Sequence, residues 1–316
     1  MQVDAIHSVA PVGRRPKPNF LIVGAAKAGT TSLYEYLKQH PEICLPRDPK
    51  RKEPMYFVNR RAGVRDYNDY LSLFAHGGTS KAIGEASTAY LYSEESPAWI
   101  KSVLGDIKII ILLRNPAKRA FSLYTWMVRE GWEDAKTFED ALAREPARLR
   151  DQHFREHCLE FFPDYLYFGS GLYTHQVERY FATFGRERVR IYLFEEFVKD
   201  PVAICQDIFS FLDVNRAFVP QIEVHNEGRV PFSISLQFYM QSVAMGQRTG
   251  YPVRILPKPY RGRVLSSVKE LNQRFGKKTT ISPVVYQNLM ERYHNDIKQL
   301  EQLLERDLSI WYAKKG

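Results

Sequence analysis

The sequence predicts an α/β fold: a single P-loop-like domain with a central parallel sheet flanked by helices. Three observations carry this. Asn19-Phe-Leu-Ile-Val-Gly24 is an apolar run closed by glycine, the pattern of a strand buried on both faces. A Gly/Ala/Thr loop leads from it into Ser32-Leu33-Tyr34-Glu35-Tyr36-Leu37, a helical segment that must stop before Pro41. Strand, glycine loop and helix in that order open a βαβ unit, and further strands alternate with helices along the chain.

Those later elements follow in order. Ala82-Ile83-Gly84-Glu85 reads as a second short strand. Ile107-Lys-Ile-Ile-Ile-Leu-Leu113 is the strongest strand signal, bracketed by Gly105-Asp106 and Arg114-Asn115-Pro116. A helix is expected from about Ala117 to Arg129, a strand over Val189–Phe194 and a helix over Pro201–Leu212. Tyr286, Leu289, Tyr293, Ile297, Leu300, Leu304 and Leu308 recur every three or four residues, one face of a long amphipathic helix. Residues 1–18 read as a flexible N-terminal arm and 19–316 as the domain. Insertions into the domain are expected at 41–80, rich in proline and charge, and at 225–280, where periodicity is weak. No internal repeat or low-complexity tract is present.

At ~150 residues per domain, 316 residues allow two domains, but no convincing linker divides them. The 44% of hydrophobic residues excludes wholesale disorder. The net charge of +9 points to an anionic partner without choosing among nucleic acid, membrane surface, polyanionic glycan or phosphorylated small molecule. Cys44, Cys158 and Cys205 form no CxxC pair, which argues against a disulfide scaffold or thiolate zinc site and for a reducing compartment. The first 18 residues lack a sustained apolar stretch, and no run of 18 apolar residues occurs. A cytoplasmic protein without a transmembrane segment is expected.

The first loop reads Gly24-Ala25-Ala26-Lys27-Ala28-Gly29-Thr30-Thr31-Ser32. Its glycines have phosphate-loop spacing, but Thr30 stands where a Walker motif requires lysine, and the lysine lies inside the loop as Lys27. Anion capture survives the change. Small residues let backbone N–H groups converge, the helix N-terminus adds partial positive charge, and Thr30, Thr31 and Ser32 add hydroxyls. The strong middle strand ends in Arg114 rather than an acidic metal ligand. The pattern suits anions held by protein groups alone, and no metal is expected.

The second motif is Arg114-Asn-Pro-Ala-Lys-Arg119-Ala-Phe-Ser122-Leu-Tyr124. Arg114 emerges at the C-terminal end of a strand, the ligand side of such sheets. Ser122 follows about two helical turns later and can face the same ligand. One guanidinium and one hydroxyl suit one phosphate group.

Together, Lys27-x-Gly29-Thr30-Thr31 and Arg114-x-Pro-x-x-Arg-x-x-Ser122 resemble the sulfotransferases that use 3′-phosphoadenosine 5′-phosphosulfate (PAPS), with PAP as product. Lys52-Glu53-Pro54-Met-Tyr-Phe57 resembles the segment carrying the catalytic glutamate in the heparan-sulfate and related bacterial branch. Gly171-Leu-Tyr173, Glu195-Glu196 with Asp200-Pro201, and Arg306-Asp307-Leu308 with Trp311 resemble that branch's middle and closing regions. There are departures. Ala86 stands where the heparan-sulfate enzymes often place a lysine, the histidine base of the cytosolic branch has no evident counterpart, and the loop Gly276-Lys277-Lys278-Thr279-Thr280 resembles a cofactor-closing loop only loosely.

The resemblance implies roles. Lys27, Ala28, Gly29, Thr30, Thr31 and Ser32 would hold the 5′-phosphosulfate, Arg114 and Ser122 the 3′-phosphate, and Lys277 and Lys278 the closing loop. Lys27 would neutralise the leaving phosphate, and Glu53 would act as general base, with Glu85 in reserve. The acceptor would be a hydroxyl or amine of a glycan, lipid or small molecule, bound by the insertions at 41–80 and 225–280; no nucleic-acid partner is expected. From the residues alone, Arg119 either assists the phosphate or pairs with an acid on its own helix. Tyr165, Tyr167 and Tyr173 either wall the acceptor or, the favoured reading, pack the core. His153 and His157 lie four residues apart without supporting acids. The competing functions are a P-loop NTPase or nucleotide kinase, and a non-catalytic polyanion binder.

Overall fold

The computed structural model describes residues 16–58, 63–223, 229–246 and 258–312. Five strands, β1 (Phe20–Gly24), β2 (Ile43–Cys44), β3 (Ala82–Ala86), β4 (Lys108–Leu113) and β5 (Val189–Leu193), form one parallel sheet in the order β2-β3-β1-β4-β5. Phe20 lies opposite Gly84 on one side and Lys108 on the other, and Leu113 opposite Leu193. Phe20 to Val23 and Ile109 to Leu113 are wholly buried, as continuous apolar runs in a sheet covered on both faces must be. Each strand therefore ends on the same edge of the sheet, and the crossovers bring chemistry-bearing residues back to that edge.

The connections are helical. Thr30–Leu37 follows β1, and Tyr67–Ser72 lies between β2 and β3. Ala89–Tyr92 and Ser96–Leu104 follow β3, while Pro116–Glu130, Phe138–Arg150, Gln152–His157 and Thr174–Phe184 lie between β4 and β5. Phe194–Lys199 and Pro201–Phe211 follow β5, and Pro283–Leu304 forms the long terminal helix, ending before the Leu308 included in the expected apolar face. The expected helix over 117–129 is Pro116–Glu130. Asn115 caps it by accepting from the Lys118 N–H at 2.9 Å, proline occupies its first turn, and Gly131 closes it at φ 83°.

The motifs near 195 and 306 prove to be fasteners. Asn115 donates to the Trp311 carbonyl at 2.7 Å, and its own N–H reaches Glu195 Oε1 at 3.1 Å. Trp311 Nε1 returns to Glu195 Oε2 at 3.0 Å, and Arg306 is ion-paired with Glu196. The end of the chain is thereby tied to the turn that carries Arg114.

The 225–280 region, in its described residues, holds a two-stranded antiparallel ribbon and two helices. The ribbon pairs β6 (Arg229–Val230) with β7 (Lys277–Lys278), and the helices are Ile234–Ala244 and Lys258–Arg274. They pack on the end of helix Pro116–Glu130: Gln237 and Gln273 both donate to the Arg129 carbonyl, at 2.6 and 2.9 Å. Of the expected N-terminal arm, residues 1–15 lie outside the described residues. Among those described, no helix is long and apolar enough to cross a membrane.

Candidate active site

A cleft of about 580 Å³ opens along the C-terminal edge of the sheet, where ligands bind in open α/β folds. Every strand of the parallel sheet feeds it. The loop after β1 supplies Lys27, Gly29, Thr30, Thr31 and Ser32, and the segment after β2 supplies Glu53 and Met55. Thr88 follows β3, Arg114 follows β4, and Phe194 follows β5. Helix Pro116–Glu130 adds Ser122, Trp126 and Arg129, and Trp132, Glu160 and Asp164 complete the wall.

The backbone of the first loop is specialised. Gly29 adopts φ 92°, left-handed, at the start of helix Thr30–Leu37, and no side chain caps that N-terminus. A Cβ on Gly29 would stand 2.8 Å from the Phe194 ring, so both conformation and space demand glycine. Lys27 itself has φ 67°, a conformation that costs a non-glycine residue about 1 kcal/mol or more. It is held there from outside: Arg114 Nη1 donates to the Lys27 carbonyl at 3.0 Å, while the guanidinium lies over the Phe194 ring at 4.5 Å. The Arg114 carbonyl in turn accepts from the Tyr173 hydroxyl at 3.0 Å.

The Lys27 amine lies 5.2 Å from the centre of the Trp126 ring. Burial pushes its pKa down to about 8, and the neighbouring charges of Arg129 and Arg114 add to the depression while Glu53 opposes it. Lys52 donates to Thr31 Oγ1 at 2.7 Å, stands 3.7 Å from Glu53 Oε1, and has its pKa lowered by burial. Glu53 Oε2 accepts from both the N–H and the hydroxyl of Thr88, at 3.2 and 3.0 Å. The carboxylate is therefore clamped from one side, leaving the other oxygen toward Lys52.

Of the residues singled out by sequence, Lys27, Gly29, Thr30, Thr31, Ser32, Glu53, Arg114 and Ser122 line this one cleft. Ala28 does not: it is fully buried, and its N–H is taken by the Ala25 carbonyl at 3.1 Å. Lys277 and Lys278 stand exposed on β7, outside the cleft lining. Arg119 pairs with no acid on its helix; it is buried and donates to the Tyr167 carbonyl at 2.7 Å and to Ser170 Oγ at 3.0 Å. Tyr165, Tyr167 and Tyr173 belong to the core. The His153 and His157 rings stack at 4.2 Å, and no metal-holding group of three His, Cys, Asp or Glu occurs among the described residues. Cys44, Cys158 and Cys205 form no disulfide.

Glu85 lies inside β3, fully buried. The Tyr70 hydroxyl reaches its Oε1 at 3.5 Å, and contacts with Ser87 and Tyr90 only partly offset the burial that pushes its pKa from 4.5 to about 8. It does not line the cleft. Between these two values the folded protein holds a proton that the unfolded chain releases, so stability falls as pH rises across that window. Glu85→Gln should flatten the dependence of Tm between pH 5 and 8.5; an unchanged slope would refute this assignment of the buried proton.

Sequence reading missed Lys52 as a contact, and Thr88, Trp126, Arg129, Trp132, Glu160, Asp164 and Phe194. Two had a signal: Trp126 and Arg129 follow Ser122 at i+4 and i+7, one helical face.

A parallel sheet with a glycine-bearing strand–loop–helix turn at its C-terminal edge defines a P-loop-like fold. Residues 17–226 match the family described as "Sulfotransferase domain", and the chain belongs to that family. It is 30% identical over 205 residues to human bifunctional heparan sulfate N-deacetylase/N-sulfotransferase 3, covering 62% of this chain and 22% of that protein. The Drosophila melanogaster bifunctional heparan sulfate N-deacetylase/N-sulfotransferase is 25% identical over 246 residues, with 72% and 22% covered. The chain thus spans 22% of the length of these curated relatives. Among solved structures, a sulfotransferase from Alicyclobacillus acidocaldarius superposes with a TM-score of 0.69 at 31% identity, covering 94% of this chain and all of that one. The chain thus carries a sulfotransferase-family domain over residues 17–226.

Proposed function

We propose that the protein transfers a sulfuryl group from PAPS to a hydroxyl or amine, in line, without a metal ion. One observation carries the reading: Lys27, Arg114 and Glu53 meet in one cleft, with Arg114 bonded to the backbone of Lys27. Bound PAPS supplies the sulfuryl group and departs as PAP. The residues fit it. Arg114 Nε is buried and has no hydrogen-bond partner among the described residues, a donor left open as an anion site requires. The uncapped N-terminus at Gly29 adds backbone donors and partial positive charge.

In this reading Arg114 and Ser122 bind the 3′-phosphate, and Thr30, Thr31 and Ser32 bind the 5′ end. Lys27 directs its ammonium at the leaving oxygen, where charge develops. Glu53, oriented by Thr88, removes the acceptor proton. Lys52 keeps Glu53 and Thr31 in register. The transferred group carries less charge than a phosphoryl group, so protein cations suffice. A carbohydrate acceptor is supported by the heparan-sulfate relatives, and cysteines that form no disulfide support a reducing, cytoplasmic setting. The insertion at 41–80 brings Glu53 to the cleft and 225–280 braces Arg129, which supports their assignment to acceptor binding.

The test compares thermal shifts with PAP, AMP and ATP. PAP should raise Tm most, because Arg114 and Ser122 engage a phosphate the other two lack. Equal or larger stabilisation by magnesium ATP would overturn the assignment in favour of an NTPase. Transfer from labelled PAPS to a panel of glycans then identifies the acceptor.

A further inference from the structure

Helix Lys258–Arg274 faces the wrong way for a helix packed by its apolar side. Toward the protein it presents polar groups: Lys269 is 3.5 Å from Glu130, and Asn272 donates to the Ser233 carbonyl at 2.9 Å and to Gln237 Oε1 at 2.8 Å. Gln273 holds the Arg129 carbonyl. Toward solvent it presents Val264, Val268 and Leu271, and Phe275 continues the row one residue beyond the helix. These four recur at i, i+4, i+7 and i+11, one continuous stripe. Phe232, whose N–H donates to the Asn272 carbonyl at 2.9 Å, stands beside them. Phe232 is 76% exposed, Phe275 63% and Leu271 56%. Single exposed apolar residues are ordinary, but a contiguous row marks a contact surface.

The charges around the stripe identify the contact. Arg263 and Arg274 are exposed and, at about 100° per residue, fall on the same flank of the apolar row. Lys277 and Lys278 follow on exposed β7. Glu270 is the exposed acid on this stretch of helix. An apolar row bearing two phenylalanines with arginines along its border matches an interfacial amphipathic helix, which lies in the plane of a membrane with its rings among the acyl chains and its cations at anionic headgroups.

We propose that the protein docks peripherally on an anionic lipid surface through Phe232, Val264, Val268, Leu271 and Phe275, with Arg263 and Arg274 against the headgroups. Neither the nucleotide cleft nor the choice of acceptor enters the argument, so the proposal stands or falls apart from the catalytic reading.

The experiment is co-sedimentation of the full chain with vesicles of phosphatidylcholine alone and of phosphatidylcholine with one quarter phosphatidylglycerol. Binding is expected to the anionic vesicles, at least tenfold stronger than to the neutral ones, and to weaken as salt is raised. The double variant Leu271→Glu/Phe275→Glu should lose at least tenfold in vesicle binding with Tm unchanged, since both side chains are already in water. Arg263→Glu/Arg274→Glu should erase the preference for anionic lipid. Absence of binding, equal binding to neutral vesicles, or binding that survives the first pair of substitutions overturns the proposal. So does concentration-dependent dimerisation abolished by Leu271→Glu/Phe275→Glu without vesicle binding, because a second copy of the chain would then cover the stripe.

Discussion

Replacing Lys27 by alanine is expected to lower kcat for sulfuryl transfer by roughly 10²–10³, the effect of removing one preorganised charge from a developing oxyanion. The fold should survive. Burial depresses the Lys27 pKa from 10.5 to about 8, so holding the ammonium in the cleft costs stability below about pH 8, a cost relieved as pH rises through that value. Tm of Lys27→Ala at pH 7 should therefore equal or exceed that of the parent. The same depression sets an alkaline limb. In the proposed mechanism the protonated amine is the working form, so kcat/KM should decline above about pH 8 in the free enzyme. Lys27→Arg, which cannot lose its charge in this range, should retain part of the activity and lack that limb. Full activity in Lys27→Ala, measured with labelled PAPS, would refute the assignment.

Glu53→Gln is expected to cost roughly 10²–10⁴ in kcat, the range for loss of a general base. The amide oxygen can keep both hydrogen bonds from Thr88, now 3.2 and 3.0 Å, so the segment after β2 stays in place and the thermal shift with PAP should be retained. A fall in PAP binding with unchanged kcat would instead make Glu53 part of the nucleotide cradle. Thr88→Val separates orientation from chemistry: it leaves the carboxylate and removes its hydroxyl clamp, and should lower kcat by a smaller factor than Glu53→Gln.

The core strands were legible because parallel strands covered on both faces are continuous apolar runs, as in Lys108–Leu113, and because glycine or proline punctuates their ends. Lys27, Arg114, Ser122 and Glu53 were legible through motif resemblance, and the cleft collects all four. What escaped depended on contacts between distant segments. Thr88 has meaning only once β3 lies beside β1 and Glu53 folds over it. The orientation of Ala28 is decided by a turn bond to Ala25, which no spacing rule reveals. Arg119 carries a basic side chain in the second motif, yet its partners, Tyr167 and Ser170, lie some fifty residues away. Weak periodicity over 225–280 has a physical cause as well: in helix Lys258–Arg274 the inward face is polar, so a rule that assigns apolar residues to the interior points the wrong way.

In the proposed reading, the hydrogen bond from Arg114 to the Lys27 carbonyl makes the two ends of the nucleotide site a thermodynamically linked pair. A ligand that repositions the guanidinium shifts the backbone on which the ammonium rides, and by reciprocity an anion captured at the loop changes the affinity at Arg114. Lys27→Ala and Arg114→Ala should accordingly be non-additive in a double-mutant cycle on PAP affinity. On that reading the nucleotide is measured as one object, its length checked from both ends, and half of it does not earn half of the binding energy.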